Sequence, residues 1–125
     1  MSREVVKTPN APGAVGPYSQ AIIANGFIFT AGQTGTIPGT RDLAAGVEGQ
    51  TRQVLENVKA ILTAAGSGMD RVVKTTVFLQ NMGDFATMNA IYAEYFPNDP
   101  PARSTVEVAK LPIGALVEIE AIALV

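Results

Sequence analysis

Apolar positions along this chain recur with two periods. From Val47 to Ala65 the residues Val47, Val54, Leu55, Val58, Ile61, Leu62 and Ala65 return at spacings of three and four, and Gly66 follows. That pattern predicts a long amphipathic helix ended by a glycine. Elsewhere the apolar residues come in short β-branched runs. Ala21–Ala24 and Phe27–Thr30 flank Asn25-Gly26, the dipeptide that best tolerates the positive φ angles of a tight hairpin turn. The glycines of Ala31-Gly32-Gln33-Thr34-Gly35 mark a close approach of backbone to another group, or a simple bulge. Val72–Leu79 reads as a buried strand, and Asp84 is placed to cap a second helix over Phe85–Phe96, with Phe85, Met88, Tyr92 and Tyr95 along one side. A short strand over Glu4–Thr8 precedes these elements. Strands over Arg103–Ala109 and Leu116–Val125, divided by Leu111-Pro112-Ile113-Gly114, complete the order. The expectation is one α+β domain over residues 1–125, with both helices packed on one face of the sheet.

Alternation in the last strand places Val117, Ile119, Ala121, Ala123 and Val125 on the face suited to the helices. Glu118, Glu120, Ile122 and Leu124 share the other face. Carboxylates interrupting an apolar face are either ordinary surface charges or, if a second subunit covers that face, groups that need Arg103, Lys110 or a ligand as partner. Arg103 follows Pro100-Pro101 and opens a strand. Its planar fork suits a carboxylate or phosphate ligand, and an internal salt bridge to Glu107, Glu118 or Glu120 is the competing assignment.

Composition narrows the chemistry. The chain has no His and no Cys, which excludes imidazole- or thiol-based nucleophile systems, thiol redox chemistry and zinc sites built from those ligands. Proton transfer must run through Glu, Asp, Tyr, Lys or a bound water. No Asp-rich loop suggests a magnesium or calcium site, so no metal is expected. With Lys+Arg 9 against Asp+Glu 11 and no basic stripe, a nucleic-acid partner is not expected. Charged residues make up only 16% against 47% hydrophobic, which points to faces buried against copies of the chain, or to a large core. Without a signal-like or membrane-spanning run, the location read from the sequence is cytoplasmic.

Several segments together resemble the Rid (YjgF) family of reactive intermediate deaminases. They are Gly16-Pro17-Tyr18-Ser19-Gln20-Ala21, Ala31-Gly32-Gln33, Asn57-Val58-Lys59-Ala60-Ile61-Leu62, Val73–Leu79, Asn89, Pro101-Ala102-Arg103-Ser104 and Val117–Ala123. Their number and order are more specific than any one of them. The resemblance implies a chorismate-mutase-like α+β fold assembled as a homotrimer with clefts between subunits. It also implies hydrolysis of enamine and imine intermediates, such as 2-aminoacrylate, to 2-oxo acids and ammonia, without a cofactor. By the same resemblance Arg103 grips the carboxylate of a small-molecule substrate and Glu118 positions the attacking water. Tyr18, Gly32 and Asn89 fall at positions that line the pocket. Two departures stand out: Ala31 where many of these deaminases have a hydroxyl residue, and Thr105 where many have Cys. Thr105 keeps a small polar group on the strand face of Arg103.

Overall fold

The computed structural model describes residues 2–125. Its strands are β1 (Glu4–Val6), β2 (Ala21–Ala24), β3 (Phe27–Thr30), β4 (Gln33–Thr34), β5 (Val72–Leu79), β6 (Ala102–Glu107) and β7 (Val117–Leu124). The helices are α1 (Gly46–Ala64) and α2 (Phe85–Tyr95). The sheet order is β1-β2-β3-β7-β5-β6, with β4 also paired to β7. Only β5 and β6 run parallel, and α2 supplies the crossover that a parallel pair requires. The result is a mixed α+β fold with two helices over one face of a mixed sheet.

Local chemistry explains the boundaries. Asn25 and Gly26 have φ of 53° and 84°, so the β2–β3 turn takes the conformation its dipeptide favours. At the end of α1, Ser67 N donates to Leu62 O at 2.8 Å and Gly66 N to Thr63 O at 3.0 Å, with Gly66 at φ 82°. This closes the helix as its glycine predicts. The cap expected from Asp84 is not formed. Asp84 already lies in a helical turn, its backbone N–H bonded to Asn81 O, and its side chain makes no capping hydrogen bond; Asn81 Oδ1 instead accepts from Gly83 N at 2.8 Å.

Between β3 and β4 the pairing with β7 slips. Phe29 faces Ile122 and Gln33 faces Ile119, so four steps along one strand match three along the other. The extra residue falls in Ala31-Gly32, where Ala31 N bonds to Gln20 O at 2.8 Å instead of to β7.

The two sheet faces are unlike. Ile28, Val77, Leu79, Val117, Ile119, Ala121 and Ala123 face Val54, Leu55, Val58, Ile61 and Leu62 of α1 and Met88 of α2, and all are buried. Each such large side chain contributes about 1.5–3 kcal/mol relative to exposure. On the other face Phe27, Phe29, Val106 and Leu124 stand exposed. Glu118 and Glu120 belong to that open face, between the buried Val117, Ile119 and Ala121. Among the described residues, no helix is long and apolar enough to cross a membrane.

Candidate functional site

The register of β6 decides where Arg103 points. Arg103 pairs with Thr75, and both belong to the helix-covered face. Arg103 Nη1 donates to Asn89 Oδ1 at 2.7 Å, and the guanidinium carbon lies 4.7 Å from the Tyr92 ring centre and 5.5 Å from that of Phe85. Phe85, Asn89 and Tyr92 follow one another at helical spacing, so a single face of α2 surrounds the cation. The Tyr92 hydroxyl is 2.6 Å from Thr75 Oγ1, and burial holds the phenol above its ordinary pKa despite that bond and the nearby cation.

Among the described residues, Arg103 forms no salt bridge. The ion pair found among the described residues is Arg52–Glu94 at 3.0 Å, and Glu107 accepts instead from Met82 N at 2.8 Å. Four of the five guanidinium N–H donors are therefore left for other partners. Thr105 shares the strand face of Arg103, as alternation requires. Its Oγ1 is buried without a hydrogen-bond partner, an exception that calls for a cause in a folded protein.

Glu118 lies across the sheet from this group. Its register partners are Thr34 and Phe78, and its carboxylate rests against the backbone of Gly32. A Cβ added at Gly32 would overlap the carboxylate, which is the close approach that the glycine-rich segment announces. Buried polar side chains hold this floor in place. Asn57, fully enclosed in α1, donates to Thr34 O at 3.1 Å and Thr36 O at 2.9 Å, while Gln50 Oε1 accepts from Leu116 N at 2.9 Å just before β7. Half-burial raises the Glu118 pKa, and the like charge of Glu120 raises it further. Arg103 has no part in that shift, so the opposing pull expected between them is absent within one chain.

Tyr18 joins neither group directly. It is half exposed on the loop after β1, touching Val15 N at 3.5 Å. Buried Gln20 ties the root of that loop, accepting from Thr8 N at 2.8 Å and donating to Thr8 O at 3.1 Å and Pro12 O at 2.8 Å. The bond from Ala31 N to Gln20 O brings this root beside Gly32. The structure thus gathers Arg103, Asn89 and Thr105 on one side of the sheet and Gly32 and Glu118 on the other. Sequence reading missed the supports Gln20, Gln50 and Asn57 and the contacts of Phe85 and Tyr92 with Arg103. The available signals were Gln50 and Asn57 on the buried face of an amphipathic helix and the spacing of Phe85, Asn89 and Tyr92.

The sequence profile of the family described as Endoribonuclease L-PSP matches residues 8–125, and the chain belongs to that family. Among its relatives, the Arabidopsis thaliana protein named Reactive Intermediate Deaminase A, chloroplastic, is 52% identical over 124 residues, covering 98% of this chain and 66% of the relative. The human 2-iminobutanoate/2-iminopropanoate deaminase is 46% identical over 123 residues, covering 98% and 90%. A solved Yersinia pestis structure of the conserved Rid protein family superposes with a TM-score of 0.95 at 52% identity, covering 99% of this chain and 100% of that one.

Proposed function

We propose that the protein hydrolyses small enamine and imine carboxylates to 2-oxo acids and ammonia in clefts between subunits. The observation that carries this reading is the separation of two incomplete half-sites on one chain. Arg103 offers unshared N–H groups on one side of the sheet, and Glu118 offers a carboxylate with raised pKa on the other. Joining the arginine side of one copy to the glutamate side of the next completes a site, and a head-to-tail contact whose rotation closes gives a ring. The resemblance supplies the number three. The exposed Phe27, Phe29, Val106 and Leu124 supply apolar surface for assembly.

In such a cleft Arg103 holds the substrate carboxylate by two parallel hydrogen bonds, with Asn89 fixing one arm of the fork. Thr105 Oγ1 gives an otherwise unpaired hydroxyl to the same ligand. The enamine gains a proton at its β-carbon and loses one from nitrogen on becoming the imine; water then adds to the imine carbon, a proton passes to nitrogen and ammonia leaves, so one water is consumed per ammonia and 2-oxo acid formed. Glu118 acts on that water, accepting its proton and returning it to the leaving nitrogen. A carboxyl with raised pKa is suited to carry a proton in both directions. Tyr18 reaches the cleft from the loop rooted beside Gly32, and the backbone of Gly32 bounds it.

An endoribonuclease role is named in the family description. The adjacent carboxylates Glu118 and Glu120 repel a phosphodiester, and the net charge of −2 offers RNA little attraction. The lack of a hydroxyl at Ala31 favours a second reading, a cleft that binds small carboxylates without turnover. One coupled assay separates them: a pyridoxal-phosphate dehydratase generates 2-aminoacrylate, and pyruvate appearance is followed with and without this protein. A marked acceleration supports the deaminase reading. No acceleration, with pyruvate still bound, supports the carboxylate binder.

A further inference from the structure

We propose that Tyr92 is a positioning residue for Arg103, setting the plane of the guanidinium so that its free N–H edge meets a carboxylate. This rests on the reading of Arg103 as the carboxylate-binding residue. A guanidinium on a strand has several rotamers, and one hydrogen bond to Asn89 fixes a point but not a plane. The ring of Tyr92, 4.7 Å from the guanidinium carbon, fixes the plane, because cation and aromatic face attract and the contact leaves the in-plane donors untouched. That ring is itself immobilised. Its hydroxyl is held by Thr75 at 2.6 Å, Phe96 packs against it at 4.7 Å between ring centres, and Tyr92 is buried. Thr75 is also the register partner of Arg103, so the strand that presents the cation and the ring that orients it are tied to the same residue. Phe85, at 5.5 Å, adds a second aromatic contact.

The test uses the full chain and 2-oxobutanoate as the probe of carboxylate binding, measured by calorimetry, with melting temperature recorded for every variant. Tyr92→Phe keeps the ring face and loses the Thr75 bond, so affinity is expected to stay within about twofold while the melting temperature falls. Replacing Tyr92 by phenylalanines of one, two and three ring fluorines drains the negative face at nearly constant size. Affinity is expected to weaken stepwise, by roughly fivefold or more at the end of the series, with the acidic limb of the rate profile unmoved. A structural role alone has no reason to follow ring electron density. Equal affinity across folded members of the series overturns the proposal, and the graded series lets that comparison be made even if the last member does not fold. Arg103→Ala is the reference. If it binds 2-oxobutanoate as well as the parent chain, the carboxylate-clamp reading fails and this inference falls with it; if it loses binding while the fluorine series stays flat, only this inference fails.

Discussion

Arginine and glutamate, on opposite sides of one sheet, are prepared in opposite ways. Arg103 has its supports within its own chain: an amide on one arm, aromatic rings against its face and a hydroxyl bond behind one of those rings. Glu118 has a glycine backbone beneath it, a like charge beside it and an open apolar face around it. The arginine side is braced by neighbours of its own chain, which suits recognition. The glutamate side is left short of solvent and of partners, so its proton affinity is adjustable, which suits chemistry.

The sharpest break of this contrast is Glu118→Gln. It keeps shape and removes the proposed proton carrier, so kcat should fall by about 10³-fold while 2-oxobutanoate still binds. If Glu120→Gln is the crippling change and Glu118→Gln is silent, the functional carboxylate has been misassigned. Arg103→Ala should lower kcat/KM by roughly 10²-fold, mostly through KM, because truncating one partner of a desolvated charge pair weakens binding on that scale. Arg103→Lys should recover little, since an ammonium cannot match two parallel bonds. Steady-state kinetics of a folded Arg103→Ala with parental KM would refute the division of labour.

Gly32→Ala pushes a methyl into the Glu118 carboxylate, and a shift of that group should cost about 1–3 kcal/mol of stability and roughly tenfold in kcat. Chemical denaturation beside kinetics checks both numbers. The mildest change is Glu120→Gln, read in the pH profile. Burial and Glu120 both raise the Glu118 pKa, so the acidic limb of kcat/KM, where the working carboxylate becomes protonated, should lie above the ordinary carboxylate range. Removing the Glu120 charge relieves the smaller cause, and the limb should move to lower pH without reaching the ordinary value, because burial remains. An upward or absent movement contradicts this account.

What the sequence revealed follows the range of the forces involved. The alternation of β7 and the α1 stripe were legible because burial imposes a period on neighbouring residues. The pairing of Arg103 and Thr105 on one strand face was legible for the same reason. Which side of the sheet that face belongs to was not, because it depends on β6 registering Arg103 opposite Thr75, and a slip of one residue would send both side chains to the other side. The close approach at Gly32 was read from its glycines, but its partner Glu118 is distant in sequence and met only through β7. The Asp84 cap failed locally. Asn81 supplies an equally good acceptor one turn earlier and starts the helical turn first.

The slip between β3 and β4 leaves the chain one residue longer than its ladder with β7 can use. A version lacking Ala31 could run from Phe27 to Thr34 as a single uninterrupted strand, with Gly32 in ordinary register opposite Glu120. By the rules of sheet pairing that shorter chain is the more regular one. It would also draw the Gly32 backbone into line and leave the Glu118 carboxylate with nothing to lie against. The surplus residue is thus a spacer, and the length of this segment, as much as the identity of any side chain in it, is what sets the Gly32 backbone against the Glu118 carboxylate.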